Sequence, residues 1–465
     1  MTALRLRVAT QFGQTVDEAH YVLYGKFFDW SYFDHPPLVG WVHALFQHLP
    51  VNELLQARLP AILLSMGTSI LIHNYLLEKN VSCRHAFYAV AVLNLTPMYN
   101  SMSVALLPDT LFMPLTFLIV MATEKLLKAP GVKSWLQLGL WLGLAAISKY
   151  TAALYVIALI FIFVEKKLWR ELVRPGLWLG AALALLLTSP VLYWNFKNNF
   201  ASFQYQTGHV FKFNAEILRN FGSSLAIQIA SWGIGPFFVA LLGLGVLAGN
   251  YRRLRAFNTA FIFASVFLLF FIYISVGEVL LPHWMLMFFV LMIPLAYGHF
   301  LERRRFLRTM TIAATISAVL SLTLLFEMGF RVFPAEATAA LYEGVTGWDE
   351  LLKEAANKAQ TMNAENKAIA VMNWTLGSRA MYYNRSSLPV FVIDTRHDQF
   401  DIWNPRDPRG YDLLVMVEAA KKDEHLAHLN CGTLTAAGEK ITYIKNVSVN
   451  HFLYYHCANF AGYKE

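Results

Sequence analysis

The residues able to do chemistry gather ahead of the first long apolar run. Asp17 and Glu18 stand together in DEAHY (17–21), and SYFDHPP (31–37) adds another acid, a histidine and a proline pair. A carboxylate here can serve as a general base or hold a metal. The same acids at the start of a helix also complement its dipole, an effect worth about 0.3–1 kcal/mol. His35 precedes Pro36 and Pro37, which force an extended backbone and hold the ring in place, as a structural group or as a ligand. Asp109 follows Pro108 between two apolar runs with no cation beside it in sequence. A carboxylate at a membrane boundary must find a partner or water, so Asp109 reads as a functional acid or as a solvated turn acid. Lys149 is a lone cation between apolar runs, suited to grip a phosphate as a point charge or to snorkel toward lipid headgroups. Tyr32, Trp30, Trp41, Trp194 and Trp284 crowd the same boundary. An interfacial belt explains most of them, and a ring there can also stack on a sugar. None of these residues is decisive alone.

What must position them is a membrane bundle. Of 465 residues, 57% are hydrophobic and 15% charged, and the mean hydropathy is +0.44, far from soluble norms. The net charge of +8 sits in short basic runs between apolar segments, as in cytoplasmic loops, and gives no nucleic-acid role. Cys83, Cys431 and Cys457 show no CxxC or metal-ligand spacing, so no metal site is expected from them. A Cys431–Cys457 bridge requires that the C-terminal region face an oxidising compartment.

Crossing the hydrocarbon core takes roughly 17–25 apolar residues. Ten candidate spans fall at about 55–78, 84–104, 108–127, 134–148, 150–165, 176–195, 224–248, 256–276, 283–301 and 308–327. With residues 17–50 outside, the inner loops carry Lys79 and Arg84; Lys125, Lys128 and Lys133; Lys166, Lys167, Arg170 and Arg174; Arg252, Arg253 and Arg255; and Arg303, Arg304, Arg305 and Arg308. The outer loops hold only Lys149, Lys197, Lys212 and Arg219, so the positive-inside bias sets the orientation. DEAHY, YFDHPP, LLPD (106–109), SKYT (148–151), NNFASFQYQTGH (198–209) and GEVLLPHW (277–284) then all emerge on one external face. Structural accidents would scatter over both faces, so this convergence points to one external cavity, capped by short amphipathic helices at 17–30 and 37–49.

Residues 329–465 change character. GWDELLKEAANKAQ has helical amphipathicity, while KAIAVMNW, SLPVFVID and DLLVMVEAA read as strands. The expected fold is therefore an all-α polytopic bundle of about ten spans over 1–328, followed by a small extracytoplasmic α/β domain over 329–465. MTALRLRVATQFGQTV is too short and polar to span, yet an external residue 17 needs a segment to carry it across, so either a further helix lies upstream of this sequence, the favoured expectation, or the segment lies on the outer surface after translocation.

The ordered series DEAHY, YFDHPPLVGW, ARLPA, LLPDTLFMPL, SKYTA, PVLYWNFKNNFASFQYQ and HWMLMFFVLMIPL resembles the polyprenyl-phosphate-dependent membrane glycosyltransferases of GT-C type. These include protein O-mannosyltransferases and lipid A aminoarabinose transferases. The likeness runs over roughly residues 15–300. It implies Asp17 and Asp109 as catalytic carboxylates, with His35 and Lys149 on the lipid-linked phosphate. Glu18, His20, Tyr32 and His283 complete the expected substrate-binding set. The aminoarabinose transferases usually carry Lys at the position of His35 and Arg at that of His20, which implies a phosphate grip that is weaker here or depends on protonation near neutral pH. The family normally has a transmembrane helix directly before the acidic pair, in keeping with the expected upstream helix.

The resemblance also implies the partners: a sugar on undecaprenyl or another polyprenyl phosphate, a lipid A, glycan or protein acceptor, and membrane lipids. The chain would lie in the cytoplasmic (inner) membrane, with its active site and C-terminal domain outside. No cofactor is identified, and the need for a divalent cation stays open. The alternative is a transporter or lipid flippase, which favours broken helices, midplane charges and internal repeats; here the ionisable residues sit at span ends.

Overall fold

The computed structural model describes residues 1–210, 216–252, 257–300, 304–394 and 396–463. Of the basic positions used above, Lys212, Arg253, Arg255 and Arg303 lie outside the described residues. The chain divides into two compact units, one of Met1–Ala9 with Asp29–Phe326, the other of Thr10–Phe28 with Glu327–Glu465.

The first unit is helical. Among the described residues, five helices are long and apolar enough to cross a membrane: Glu53–Glu78, Pro108–Lys128, Pro175–Lys197, Asn258–Gly277 and Arg308–Phe330. Their outward faces are greasy, with Leu185, Leu186, Phe196, Leu269 and Ile316 all exposed, as a lipid-facing surface requires. The expected span at 224–248 is a bent pair, Ile217–Trp232 and Ile234–Gly249, turning by 109°. Gly233 permits the bend: its φ of +82° lies where a side chain is strained, and an added Cβ would meet Ser317 Oγ at 2.4 Å. The stretch 84–104 forms Cys83–Asn94 and Pro97–Met102, separated just before Pro97. The stretches 134–148 and 150–165 form the shorter helices Val132–Ala146 and Ala153–Glu165. Val132–Ala146 packs against Pro175–Lys197 at glycine contact: a Cβ on Gly139 would come 2.1 Å from the Gly180 carbonyl oxygen.

The polar N-terminal stretch forms the helix Thr2–Gln11, anchored by a buried arginine. Arg5 donates to Asn100 Oδ1 at 2.8 and 3.1 Å, to Asn94 Oδ1 at 2.9 Å and to Ser65 Oγ at 3.3 Å. Burial lowers its pKa to about 10, still far above neutrality.

The second unit is an α/β domain. Its five strands, β1 (Lys367–Val371), β2 (Val390–Val392), β3 (Asp412–Glu418), β4 (Leu429–Ile444) and β5 (Val447–Tyr463), run in the order β2-β1-β3-β5-β4. The first three are parallel, while β5 is antiparallel to both β3 and β4. The helix Trp348–Thr361 buries Trp348, Leu351, Leu352, Ala355, Ala356 and Ala359, the spacing of one helical face, against β1, β3 and β5. On the far side of the sheet, Phe391, Leu413, Val415 and Cys457 form a second core. Cys431 and Cys457 are joined by a disulfide across β4 and β5. The helix Val16–Lys26, which carries DEAHY, belongs to this unit: its Ala19 and Leu23 pack with Tyr382 and Phe400.

Candidate active site

Within the first unit, four residues from four separate stretches of the chain come together. Asp109 is the second residue of Pro108–Lys128, a helix that starts at a proline whose missing N–H costs nothing there. Thr110 fixes that start, its Oγ1 accepting from the Leu107 N–H at 3.2 Å and donating to the Ala105 carbonyl at 2.7 Å. Ser148 Oγ donates to the Pro108 carbonyl at 3.0 Å and so ties the next loop to the same point. The neighbouring Lys149 Nζ then donates to both carboxylate oxygens of Asp109, at 2.6 and 2.7 Å, with both residues less than a tenth exposed. His283, just before Leu286–Phe300, brings Nε2 to 3.9 Å from Asp109 Oδ2.

His35 closes the group. Its loop is held against the same segment by the Leu38 N–H donating to the Ile147 carbonyl at 2.9 Å. The residue is partly buried with its Nδ1 shut off from solvent, and this desolvation, above all, lowers its pKa to about 4. The charges of Asp34, Lys149, Asp109 and His283 act on it in turn. At pH 7 His35 is therefore neutral, and Lys149 and Asp109 compensate one another. Lys149 has three N–H donors, of which Asp109 takes two, so one remains for a substrate oxygen. An arriving phosphate would add negative charge beside His35 and raise its affinity for a proton.

A second layer holds the SYFDHPP loop. Tyr32 is completely buried, its hydroxyl accepting from the Asp29 N–H at 3.1 Å, and burial raises its pKa. Its carbonyl accepts from Ser202 Oγ at 3.1 Å, and Ser202 bonds the Tyr150 hydroxyl at 2.6 Å. Gln206 Nε2 donates to the Asp34 carbonyl at 2.7 Å, and Trp194 Nε1 to Asp29 Oδ2 at 2.9 Å. Tyr32 thus braces the loop. Sequence reasoning quoted SKYT and NNFASFQYQTGH as polar ends but did not single out Ser148, Tyr150, Ser202 or Gln206. The signal was there, hydroxyls and amides beside apolar runs, without anything to pair them across the chain.

Asp17, Glu18 and His20 lie in the second unit, each in its own setting. Glu18 is spent on a reciprocal helix cap: Glu18 Oε2 accepts from the Thr15 N–H and hydroxyl, both at 3.0 Å, while Thr15 Oγ1 accepts from the Glu18 N–H. His20 is buried among the rings of Tyr21, Tyr24, Trp374, Phe400 and Trp403, with Nδ1 3.1 Å from Ser378 Oγ. Asp17 is half-buried and acts on Arg379 through charge. Among the described residues no cluster of three or more His, Cys, Asp or Glu side chains is set to hold a metal ion.

Residues 34–194, which carry His35, Asp109 and Lys149, match the family described as dolichyl-phosphate-mannose-protein mannosyltransferase. Over 99% of this chain and 97% of the other, the fold is similar to the crystal structure of ArnT from Cupriavidus metallidurans bound to undecaprenyl phosphate. The TM-score is 0.63 and the sequence identity 17%. The chain matches no curated protein by sequence. The matched segment is that of a glycosyltransferase, and the fold and its long apolar helices are similar to those of a multi-pass membrane enzyme of this kind. Neither finding favours a transporter.

Proposed function

We propose that the protein transfers a sugar from a polyprenyl phosphate, undecaprenyl phosphate in a bacterial membrane, to a lipid A, cell-envelope glycan or protein acceptor, with inversion at C1. The observation that carries this is the convergence of Asp109, Lys149, His35 and His283 in one cluster around a buried ion pair, with the first three inside the segment matched to the mannosyltransferase family. ArnT, of similar fold, binds undecaprenyl phosphate, which supports a lipid-phosphate donor for this chain.

The chemistry follows from where charge develops. The C1–O bond of the donor breaks and its electron pair stays on the lipid phosphate, so negative charge grows on the leaving group. Lys149 meets that charge with its third N–H and His35 with a ring N–H, in a water-poor site where each contact is strengthened. Asp109 holds Lys149 in place, and His283 completes the binding set. The acceptor oxygen attacks C1 from the opposite face. A hydroxyl acceptor gives its proton to Asp17 as general base; a phosphate acceptor needs none, and Asp17 then positions it.

The proposed setting is the cytoplasmic membrane, with the transferase bundle at 1–328 and the domain at 329–465 on the outer face. The basic runs at alternate loops support that orientation. The Cys431–Cys457 disulfide supports an oxidising compartment for the second unit. Purified protein given a radiolabelled lipid-linked sugar is expected to release free undecaprenyl phosphate with labelled acceptor of inverted anomeric configuration. Movement of the intact glycolipid between leaflets without cleavage would overturn the proposal.

A further inference from the structure

A second cavity, of about 690 Å³, lies entirely within the α/β unit. It opens at the carboxyl end of β3, marked by Glu418 and Lys421, and takes in Arg379 from the helix Trp374–Tyr383 that follows β1. The chain passes from β1 to β2 on one side and then to β3 on the other, so the strand order changes direction beside β3. Crevices outside the carboxyl ends of parallel strands at such a switch point are where open α/β sheets bind ligands.

Arg379 is the unspent group there. Its guanidinium stacks over the buried Trp348 ring, 5.3 Å from the centroid. Among the described residues its Nε is buried without a hydrogen-bond partner, a rare state that calls for an explanation. Glu418, Tyr383 and Asp17 act on it through charge. The other lining charges are occupied or solvated: Lys421 pairs with Glu418 at 3.0 Å, His451 with Glu439 at 2.8 Å, and Glu343 is exposed. Gly344, at φ +72°, lets the backbone approach the guanidinium, since a Cβ there would come within 2.8 Å of Nη2. A stacked, held guanidinium presents its fork pre-organised for a tetrahedral oxyanion. The volume falls in the range of about 300–1,000 Å³ typical of organic ligands and far exceeds a bare phosphate. Exposed Ser448 on the wall can meet a sugar hydroxyl.

We propose that this cavity binds a phosphorylated sugar headgroup, with the phosphate on Arg379. Such a site goes beyond donor chemistry and would let the second unit recognise a phosphorylated glycan. Binding is read without turnover, so its outcome is independent of the transferase reading. The full chain in a phosphate-free detergent would be titrated against glucose 6-phosphate, inorganic phosphate and glucose by ³¹P NMR and calorimetry. Glucose 6-phosphate is expected to bind at least about tenfold more tightly than either control and to lose at least about tenfold in Arg379→Gln. Ala419→Trp, which fills the cavity and leaves Arg379 intact, should abolish binding too. Equal affinity for inorganic phosphate, or unchanged glucose 6-phosphate binding in either variant, would overturn the proposal.

Discussion

Cutting the Lys149–Asp109 pair should separate stability from catalysis in a way few other changes can. Both side chains are less than a tenth exposed, and the lysine contacts both carboxylate oxygens at 2.6 and 2.7 Å. Removing one partner strands the other charge in a poor solvent, which typically costs about 3–5 kcal/mol. Lys149→Met and Asp109→Leu should each lower stability by about that amount. The double variant leaves no uncompensated charge, and apolar replacement of a whole buried pair is commonly near neutral. The coupling energy should therefore be large and favourable, at several kcal/mol. Unfolding in mixed micelles, followed by near-ultraviolet dichroism over a denaturant series, gives all four corners of the cycle. All three variants should lose at least about 10²-fold in transfer rate, the double variant while well folded. Additive single costs, with coupling below about 0.5 kcal/mol, would show that the two charges are each solvated by something else, and would remove Asp109 as the anchor of Lys149.

Other consequences follow from the same geometry. His35 has a folded pKa of about 4 against an ordinary 6.5. The unfolded chain therefore takes up a proton first, and stability should fall as pH drops from about 6.5 to about 4, by on the order of 3 kcal/mol. His35→Gln should flatten that limb in a pH series of unfolding midpoints, and an unchanged slope would refute the assignment. The lowered pKa of His35 also predicts that bound donor phosphate raises it, visible as a shift in the pH dependence of donor binding that His35→Lys abolishes. Asp17→Asn should abolish transfer to a hydroxyl acceptor with little change in unfolding midpoint; near-native turnover would end its role as base. Opening Cys431–Cys457, which closes a loop with a sequence separation of 26, should destabilise the second unit by about 3.5 kcal/mol on the chain-entropy estimate. Proteolysis of Cys431→Ala/Cys457→Ala should read this out as faster cleavage within 429–463.

Much of this architecture was legible because single physical rules governed it. Hydropathy put a span at 108–127, and the helix Pro108–Lys128 begins there with Asp109 in its first turn. The runs KAIAV and DLLVMVE are continuous apolar strands because β1 and β3 are covered on both faces. The hairpin of β4 and β5 was missed because β4 is mostly exposed, so its residues carry little hydrophobic alternation. The breaks before Pro97 and at Gly233 were hidden inside apolar runs, where hydropathy outweighed the local backbone signals. His35, Asp109, Lys149 and His283 were each legible as polar groups at span ends. The Lys149–Asp109 bond was not, since the partners stand 40 residues apart and only the packed helices bring them together. Burial set the protonation of His35, and burial is a property of the fold. DEAHY looked like one cluster in sequence, yet Glu18 is taken by the Thr15 cap and His20 by an aromatic box.

The central claim is that Lys149, held by Asp109, stabilises the departing lipid phosphate. Its most direct test is the single-turnover rate of sugar transfer from a defined polyprenyl-phosphate donor at saturating acceptor, compared for wild type, Lys149→Arg and Lys149→Ala. Loss of a donor aimed at developing charge should slow Lys149→Ala by about 10²–10³-fold. Lys149→Arg should recover part of the rate, and acceptor affinity should stay unchanged throughout. Transfer by Lys149→Ala at the wild-type rate would contradict the account.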